Sequence, residues 1–383
     1  MPRPSPNPEP EPRRLGELAA LFFRLGVTAF GGPAAHIAMM HDEVVRRRGW
    51  VDEQRFLDTV GATNLVPGPN STELAIHLGW ERARLRGLLV AGVCFILPAA
   101  LIVGVLAWAY VRYGDTPSVE GVLYGVKPVV IAIVVTAIVK LAPTAGKSWP
   151  LRVLGVAAAG AYLLGVNELL LLALGALCGL VGYAVTRLQA QRLSTWSPLL
   201  ALATAPGAAD VGLGHLFVVF VKIGSVLYGG GYVLLAFLDG EVVDRLGWIT
   251  GQQLLDAASI GQVTPGPVFT TATFVGYLVA GAPGAVVATV GIFLPSFVFA
   301  GLLTSIVRWM RASAPTGAVL DAVNAAALGL MAGVTVQLAG DALVDPLTVV
   351  VGVAALAVLW RTKLNSTYLI AGGAIVGLLH AYA

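Results

Sequence analysis

The sequence predicts an all-α polytopic membrane protein made of two homologous repeats in inverted topology, with about ten spans and helix breaks at two Pro-Gly-Pro motifs. Three observations predict it: an apolar composition, an internal repeat at one fixed offset, and unlike charge in equivalent loops.

Composition comes first. Of 383 residues, 57% are hydrophobic and only 12% are charged. A soluble domain needs a largely polar exterior, and this chain cannot supply one. Uncharged runs such as Leu88 to Ala109 and Leu169 to Val185 are long enough for the apolar core of a bilayer. Glycine, at 46 residues, suits close helix contact in lipid. The net charge of +3 is small and unclustered, which argues against nucleic acid as a partner. Cys94 and Cys178 both lie in apolar runs and are expected to be buried small hydrophobes.

The repeat emerges when the chain is slid along itself by the separation of Gly26 and Gly224, 198 residues. At that offset Gly31-Gly32 falls on Gly229-Gly230, Glu43 on Glu241, and Gly49-Trp50 on Gly247-Trp248. Asp58 falls on Asp256, and Pro67-Gly68-Pro69 on Pro265-Gly266-Pro267. The expected organisation is a disordered Pro-rich tail over residues 1–13, a first repeat over 14–187, a linker over 188–210 and a second repeat over 211–383. Each repeat reads as an apolar helix ending in a glycine turn, a charged amphipathic stretch, a short helix, the break, another short helix, and further spans.

Charge gives the orientation. Arg13 and Arg14 precede the first apolar run and favour a cytoplasmic N-terminus. The loop with Arg46, Arg47 and Arg48 has as its counterpart a stretch with Asp239, Glu241, Asp244 and a single arginine, Arg245. Arg82, Arg84 and Arg86 in the next connection face the uncharged stretch Gly276 to Gly284. Equivalent loops are therefore expected on opposite faces, the signature of an inverted repeat with its site near the midplane.

Candidate site residues follow from the breaks. Proline lacks an N–H and disfavours helix before it, and broken backbone inside a bilayer is tolerated only within protein or beside water. Asn70, Ser71 and Thr72 follow the first break, and Thr270 and Thr271 the second. Helix starts rich in hydroxyls suit an anion. The glycine turns at Gly31, Gly32, Gly229 and Gly230 allow close approach to a ligand or to a crossing helix. Arg24 and Lys222 are matched cations inside apolar runs, where a charge faces a cavity or a partner, or snorkels to the interface; as one cation per copy they are expected to bind a dianion. Glu43, Glu241, Asp58 and Asp256 are matched acids expected in structural, gating or coupling roles, with Arg47 and Arg245 as partners. Glu73, whose counterpart at this offset is Thr271, is the better candidate for a proton-linked group. Lys127, before Pro128, is a candidate to face the cavity. His36 and His77 have no histidine counterpart and read as structural.

No catalytic or nucleotide-binding motif is present, no metal-ligand spacing occurs, and no cofactor is expected. The expected partners are lipid and a small oxyanion. The oligomeric state stays open, a homodimer included.

The motifs Phe30-Gly31-Gly32-Pro33, Glu43, Gly49-Trp50, Pro67-Gly68-Pro69 and their second-copy equivalents resemble the chromate ion transporter family, in its long two-domain form. The resemblance implies an inner-membrane exporter of chromate that confers chromate resistance, with sulfate as a competing analogue. Gly231 stands where the first copy has Pro33, a departure from the pattern. A sulfate or other oxyanion permease and an anion channel are the alternatives on the same scaffold. A membrane-embedded enzyme would need a nucleophile or metal set that the sequence lacks.

Overall fold

The structure is a computed structural model that describes residues 11–29, 32–63, 67–114, 116–188, 212–227, 233–312, 314–362, 364 and 366–382. Residues 1–10, most of the linker, the glycines Gly31, Gly229 and Gly230, and the side chain of Asp58 lie outside it.

The described chain is helical, with no strand among these residues. The first copy runs α1 (Glu11–Thr28), α2 (Gly32–His41), a π-helical segment (Asp42–Arg47) and α3 (Glu53–Thr63). It continues through α4 (Asn70–Tyr113), α5 (Pro117–Ala145), α6 (Trp149–Leu163) and α7 (Glu168–Leu188). The second copy repeats this order: α8 (Leu213–Val226), α9 (Leu234–Leu238), a π-helical segment (Asp239–Arg245), α10 (Gly251–Val263) and a 3-10 turn (Val268–Thr270). That turn opens α11 (Thr271–Ala312), which is followed by α12 (Ala314–Ala342), α13 (Pro346–Arg361) and α14 (Ser366–Ala381). Helix α1 thus takes in the last three residues of the expected tail.

Local sequence explains these boundaries. The Gly-Trp pairs close the π-helical segments: the Trp50 N–H donates to Val44 O and the Trp248 N–H to Val242 O. Pro69 and Pro267 stand in extended conformation just before α4 and before the turn that opens α11. A proline there gives up an N–H that the helix start would leave unbonded.

Both α4 and α11 double back on themselves. Helical geometry fails at Ala83 (φ −148°) and Arg84 (φ 50°), and again at Ala280 (φ −144°) and Gly281 (φ 60°). Across each bend two glycine backbones touch, Gly79 on Gly87 and Gly276 on Gly284, with no room for a Cβ. These matched bends are 197 residues apart, one fewer than before the breaks. Structurally, then, Glu73 stands opposite Thr270, and the sequence pairing with Thr271 is off by one.

After its bend α4 presents an exposed stripe of Leu89, Val93, Leu97 and Leu101, and α11 presents Val286, Val290, Leu294 and Val298 at the same offset. Spacing of four places each set on one helix face. Large exposed apolar stripes fit lipid and not water. Helices α4, α5, α11 and α12 are long and apolar enough to cross a membrane, and shorter apolar helices accompany them. Cys178 is exposed on such a surface, a correction to its expected burial; Cys94 is half-buried.

The copies are interlocked. Within each copy α1 packs on α4 and α8 on α11, and α4 meets α11 across the copies. Helix α5 packs against α13 and α14 of the second copy, while α12 packs against α6 and α7 of the first. Close contacts repeat this exchange: Gly377 of α14 sits on Gly121 of α5, and Gly179 of α7 sits on Ala318 of α12.

Candidate oxyanion site at the crossing of the two breaks

At each break one glycine takes a left-handed conformation, Gly68 at φ +136° and Gly266 at φ +89°. Only glycine adopts such backbone without strain. Each then uses its N–H on the other copy. Gly68 donates to Leu227 O at 2.8 Å, and Gly266 donates to Ala29 O at 3.0 Å. Ala29 and Leu227 are matched residues just beyond the ends of α1 and α8. The two breaks and the two helix ends that lead into the glycine turns therefore meet at one crossing, related by exchange of the copies.

The packing beneath is matched too. Gly26 lies against Phe95 O and Gly224 against Ile292 O. A Cβ on Gly68 would stand 2.8 Å from Ser296 Oγ, and one on Gly266 would stand 2.6 Å from Ala99 Cβ. Ser296 and Ala99 are equivalent residues, each directly after a proline inside its long helix.

The helix starts differ. In the second copy the Thr270 hydroxyl donates to Pro267 O and the Thr271 hydroxyl to Val268 O, both at 2.8 Å, so both cap their own turn. In the first copy Ser71 pairs with His36, while the Thr72 hydroxyl has no hydrogen-bond partner among the described residues. Asn70 opens α4 and is half-buried. Glu73 is 0% exposed, and neither carboxylate oxygen has a partner among the described residues. Its carboxylate lies against Gly68 Cα, where a Cβ would collide with it. The Ser296 hydroxyl beside Gly68 is also buried without a partner. An ionised carboxylate so placed carries a desolvation cost of several kcal/mol that a proton or a ligand must offset.

His36 is the residue that sequence reasoning passed over as structural. Its Nε2 lies 3.0 Å from Ala29 O and its Nδ1 3.2 Å from Ser71 Oγ. A carbonyl only accepts, so Nε2 carries the proton and Nδ1 accepts from the serine. Ala29 O thus receives both His36 and Gly266, which ties α1, α2, α4 and the second break together. A lone histidine with no counterpart offered no signal of this.

The matched cations sit elsewhere in the network. Arg24 reaches Glu43 at 2.6 Å, and Glu43 also takes Arg47 at 3.2 Å and Arg48 at 3.3 Å. Lys222 reaches Glu241 at 3.0 Å, and Arg245 shares that carboxylate. Arg24 and Lys222 are therefore committed to the matched acids. Burial pushes the Glu43 carboxyl up, but hydrogen bonds from Arg24 and Arg48 and the nearby charges outweigh it, leaving it below its ordinary 4.5. Asp256 is engaged as well: Lys127 Nζ lies 2.8 Å from Oδ1, and the Tyr110 hydroxyl donates to Oδ2 at 2.7 Å.

Comparison with known proteins gives the family. A family model described as Chromate transporter matches residues 16–182 and again residues 214–378. The chain belongs to the chromate transporter family. A probable chromate transport protein of Synechococcus elongatus is 34% identical over 95% of both chains. The chromate transport protein of Cupriavidus metallidurans is 33% identical over 95% of this chain and 93% of its own. That of Pseudomonas aeruginosa is 32% identical over 95% and 92%. No solved structure matches the chain.

Proposed function

We propose that the protein exports chromate from the cytoplasm across the plasma membrane and binds it at the crossing of the two breaks. The reciprocal pair Gly68 to Leu227 and Gly266 to Ala29 carries this reading. It brings the starts of α4 and α11, with their partial positive ends, to one buried place. An exchange-related crossing of broken helices is the build expected of an inverted-repeat transporter.

The site holds a tetrahedral oxyanion through dipoles and hydroxyls, with Ser71, Thr72, Ser296 and the glycine turns as the binding surface. Glu73 binds in its protonated form and donates a hydrogen bond to an oxyanion oxygen; ionised, it would repel the dianion. Sulfate has the same shape and charge and competes. Arg24 and Lys222 hold the flanking segments in place through Glu43 and Glu241.

Orientation follows from the arginines. Arg48 and Arg82 both lie over the Trp50 ring, and Arg82 reaches Glu17 near the start of α1. The N-terminal end of α1 and two arginine-rich connections thus share one face, read as cytoplasmic. Export is downhill in charge. A dianion leaving an interior-negative cell gains roughly 4.6 kcal/mol per 100 mV, which supports on the order of a 1000-fold gradient.

The test is chromate flux in proteoliposomes under an imposed potential, with and without excess sulfate. Saturable flux that follows the potential and falls with sulfate is expected. Flux that never saturates would make the protein a channel. No chromate flux under any gradient would remove chromate as the substrate.

A further inference from the structure

At the far end of α4 from its arginine-rich bend, a cavity of about 600 Å³ opens between α4, α5, α10 and the end of α12. Its wall carries the Lys127–Asp256 pair. Lys127 is 7% exposed and Asp256 is 3% exposed, so this is a buried ion pair at the edge of a space large enough for many waters. Although Lys127 lies close, Asp256 Oδ1 has no well-oriented hydrogen bond, so the carboxylate is held on that side by charge alone.

The pair is a tie between copies. Lys127 comes from α5 of the first copy, and Asp256 comes from α10 of the second. Helix α10 leads directly into the second break, so whatever loosens α10 from α5 frees that break to shift. The equivalent of Lys127, ten residues into α12 as Lys127 is into α5, is Asn324. No ammonium stands at the equivalent position of the second copy.

The cavity is acidic. Glu120 and Tyr124 from α5, Tyr110 from α4 and Asp341 from α12 share it with Lys127 and Asp256. The other neighbours of α10 contribute no titratable side chain to its lining. Three carboxylates against one ammonium draw cations in and keep a dianion out, so this is no second oxyanion site. Among the described residues no three acidic, histidine or cysteine side chains converge as a metal ion requires, which favours the proton.

We propose that Asp256 is the coupling site: a proton from the external face enters this cavity, neutralises Asp256, and releases α10 from Lys127 so that the second break can open outward. Asp256 carboxylate plus one proton gives the carboxylic acid, and Lys127 keeps its charge. The proton leaves to the cytoplasm when the tie re-forms. One proton in for one chromate out moves three positive charge equivalents inward, so an interior-negative potential drives the cycle. The proposal rests on the exporter reading for its direction.

The experiment uses purified full-length protein in proteoliposomes with the potential clamped by potassium and valinomycin. Two quantities are read: exchange of labelled for unlabelled chromate at symmetric pH, and proton movement reported by a trapped pH dye when a chromate gradient is imposed. In the unaltered protein, outward chromate movement should acidify the lumen. Asp256→Asn and Lys127→Asn should keep exchange within about threefold and lose proton movement by at least about tenfold, since neither can alternate between tied and released. Exchange without proton movement in the unaltered protein would overturn the coupling and leave the oxyanion site standing. Proton movement that persists in Asp256→Asn would also overturn it. So would loss of exchange in both variants while each elutes as a monodisperse particle, because the pair would then be structural. Absence of any chromate exchange in the unaltered protein would sink the proposed function itself.

Discussion

The two copies agree in backbone and disagree in side chains, and the disagreement falls at the proposed oxyanion and coupling sites. Breaks, bends, π-helical segments and lipid-facing stripes all recur. At the crossing, however, the first copy has Glu73 where the second has Thr270, and the second has Ser296 where the first has Ala99. At the outer tie the first copy has Lys127 where the second has Asn324. A carrier with two identical halves could swap inward and outward states at equal energy. Here the scaffold recurs, and in the proposed carrier these three positions supply the bias.

The largest expected effect tests the crossing itself. Gly68→Ala forces a side chain into a φ of +136° and drives a methyl into Glu73 and Ser296. The backbone term alone is about 1–3 kcal/mol, and the collision adds to it. Chromate exchange should fall below detection. Gly266→Ala is also strained and presses on Ala99 Cβ, but its nearest neighbours, Ala99 and Gly26, carry no polar side chain of the proposed site, so it should lower the melting temperature while leaving measurable exchange. Equal loss from both would show that the crossing works as one rigid unit and that Glu73 has no special place in it.

Next comes Glu73 against its counterpart. Glu73→Gln keeps a donor of similar shape and should retain chromate exchange, whereas Glu73→Leu should lower it by roughly 10- to 100-fold, the worth of a charge-assisted hydrogen bond. Thr270→Val removes only a local cap and should change exchange by less than about fivefold. A Glu73→Leu variant with unaltered exchange would take the carboxyl out of the site.

The matched acids give a smaller effect. Arg24 and Lys222 are partly exposed, so each contact is worth less than about 1 kcal/mol after screening, and Arg24→Ala leaves Glu43 with two arginines. The sign with pH is fixed. Because the Glu43 pKa lies below 4.5 in the folded protein, its stabilisation is present above 4.5 and is lost as pH falls through the lowered value. The melting temperatures of the unaltered protein and Glu43→Gln in detergent should differ at neutral pH and converge below about pH 4.5. A constant gap would mean that the arginines do not set the Glu43 charge.

What the sequence made legible was whatever repeats locally. Pro-Gly-Pro, Gly-Trp and the glycine turns could be read because proline and glycine impose backbone conformation within a few residues. That the two breaks face one another was also expected in kind. The partners were not legible. Nothing in the sequence says that Gly68 donates to Leu227, that His36 bridges Ala29 and Ser71, or that α5 takes its neighbours from the other copy. These are contacts across long separations, fixed by how interlocked halves close. The partners of the two cations escaped for a related reason. A charge in an apolar run signals a partner, and Glu43 and Glu241 were already known to be matched, yet only the fold shows that they meet Arg24 and Lys222. The register slip after the breaks escaped because one fixed offset cannot follow the loss of a residue; at an offset of 197, Ala75, Gly79, Gly87, Leu97 and Pro98 fall on Ala272, Gly276, Gly284, Leu294 and Pro295.

The smallest expected effect concerns the bends. Both copies use a left-handed residue there, Gly281 at φ 60° in one and Arg84 at φ 50° in the other. Glycine takes this conformation freely, and arginine does so under strain of about 1–3 kcal/mol. Arg84 gains something in return, since its guanidinium lies over the Trp80 ring at 5.8 Å, an exposed contact of about 0.5–1 kcal/mol. It also adds to the positive charge of this connection. Arg84→Gly should relieve the strain and lose the ring contact, and the freer unfolded glycine offsets roughly another 0.5–1 kcal/mol. At the centre of these ranges the net expectation is a stabilisation of about 0.5 kcal/mol. Thermal unfolding in detergent measures it, and chromate exchange should be unaltered. A clear loss of stability would mean that the Trp80 contact outweighs the strain, and that the two bends, alike in backbone, are held by different forces.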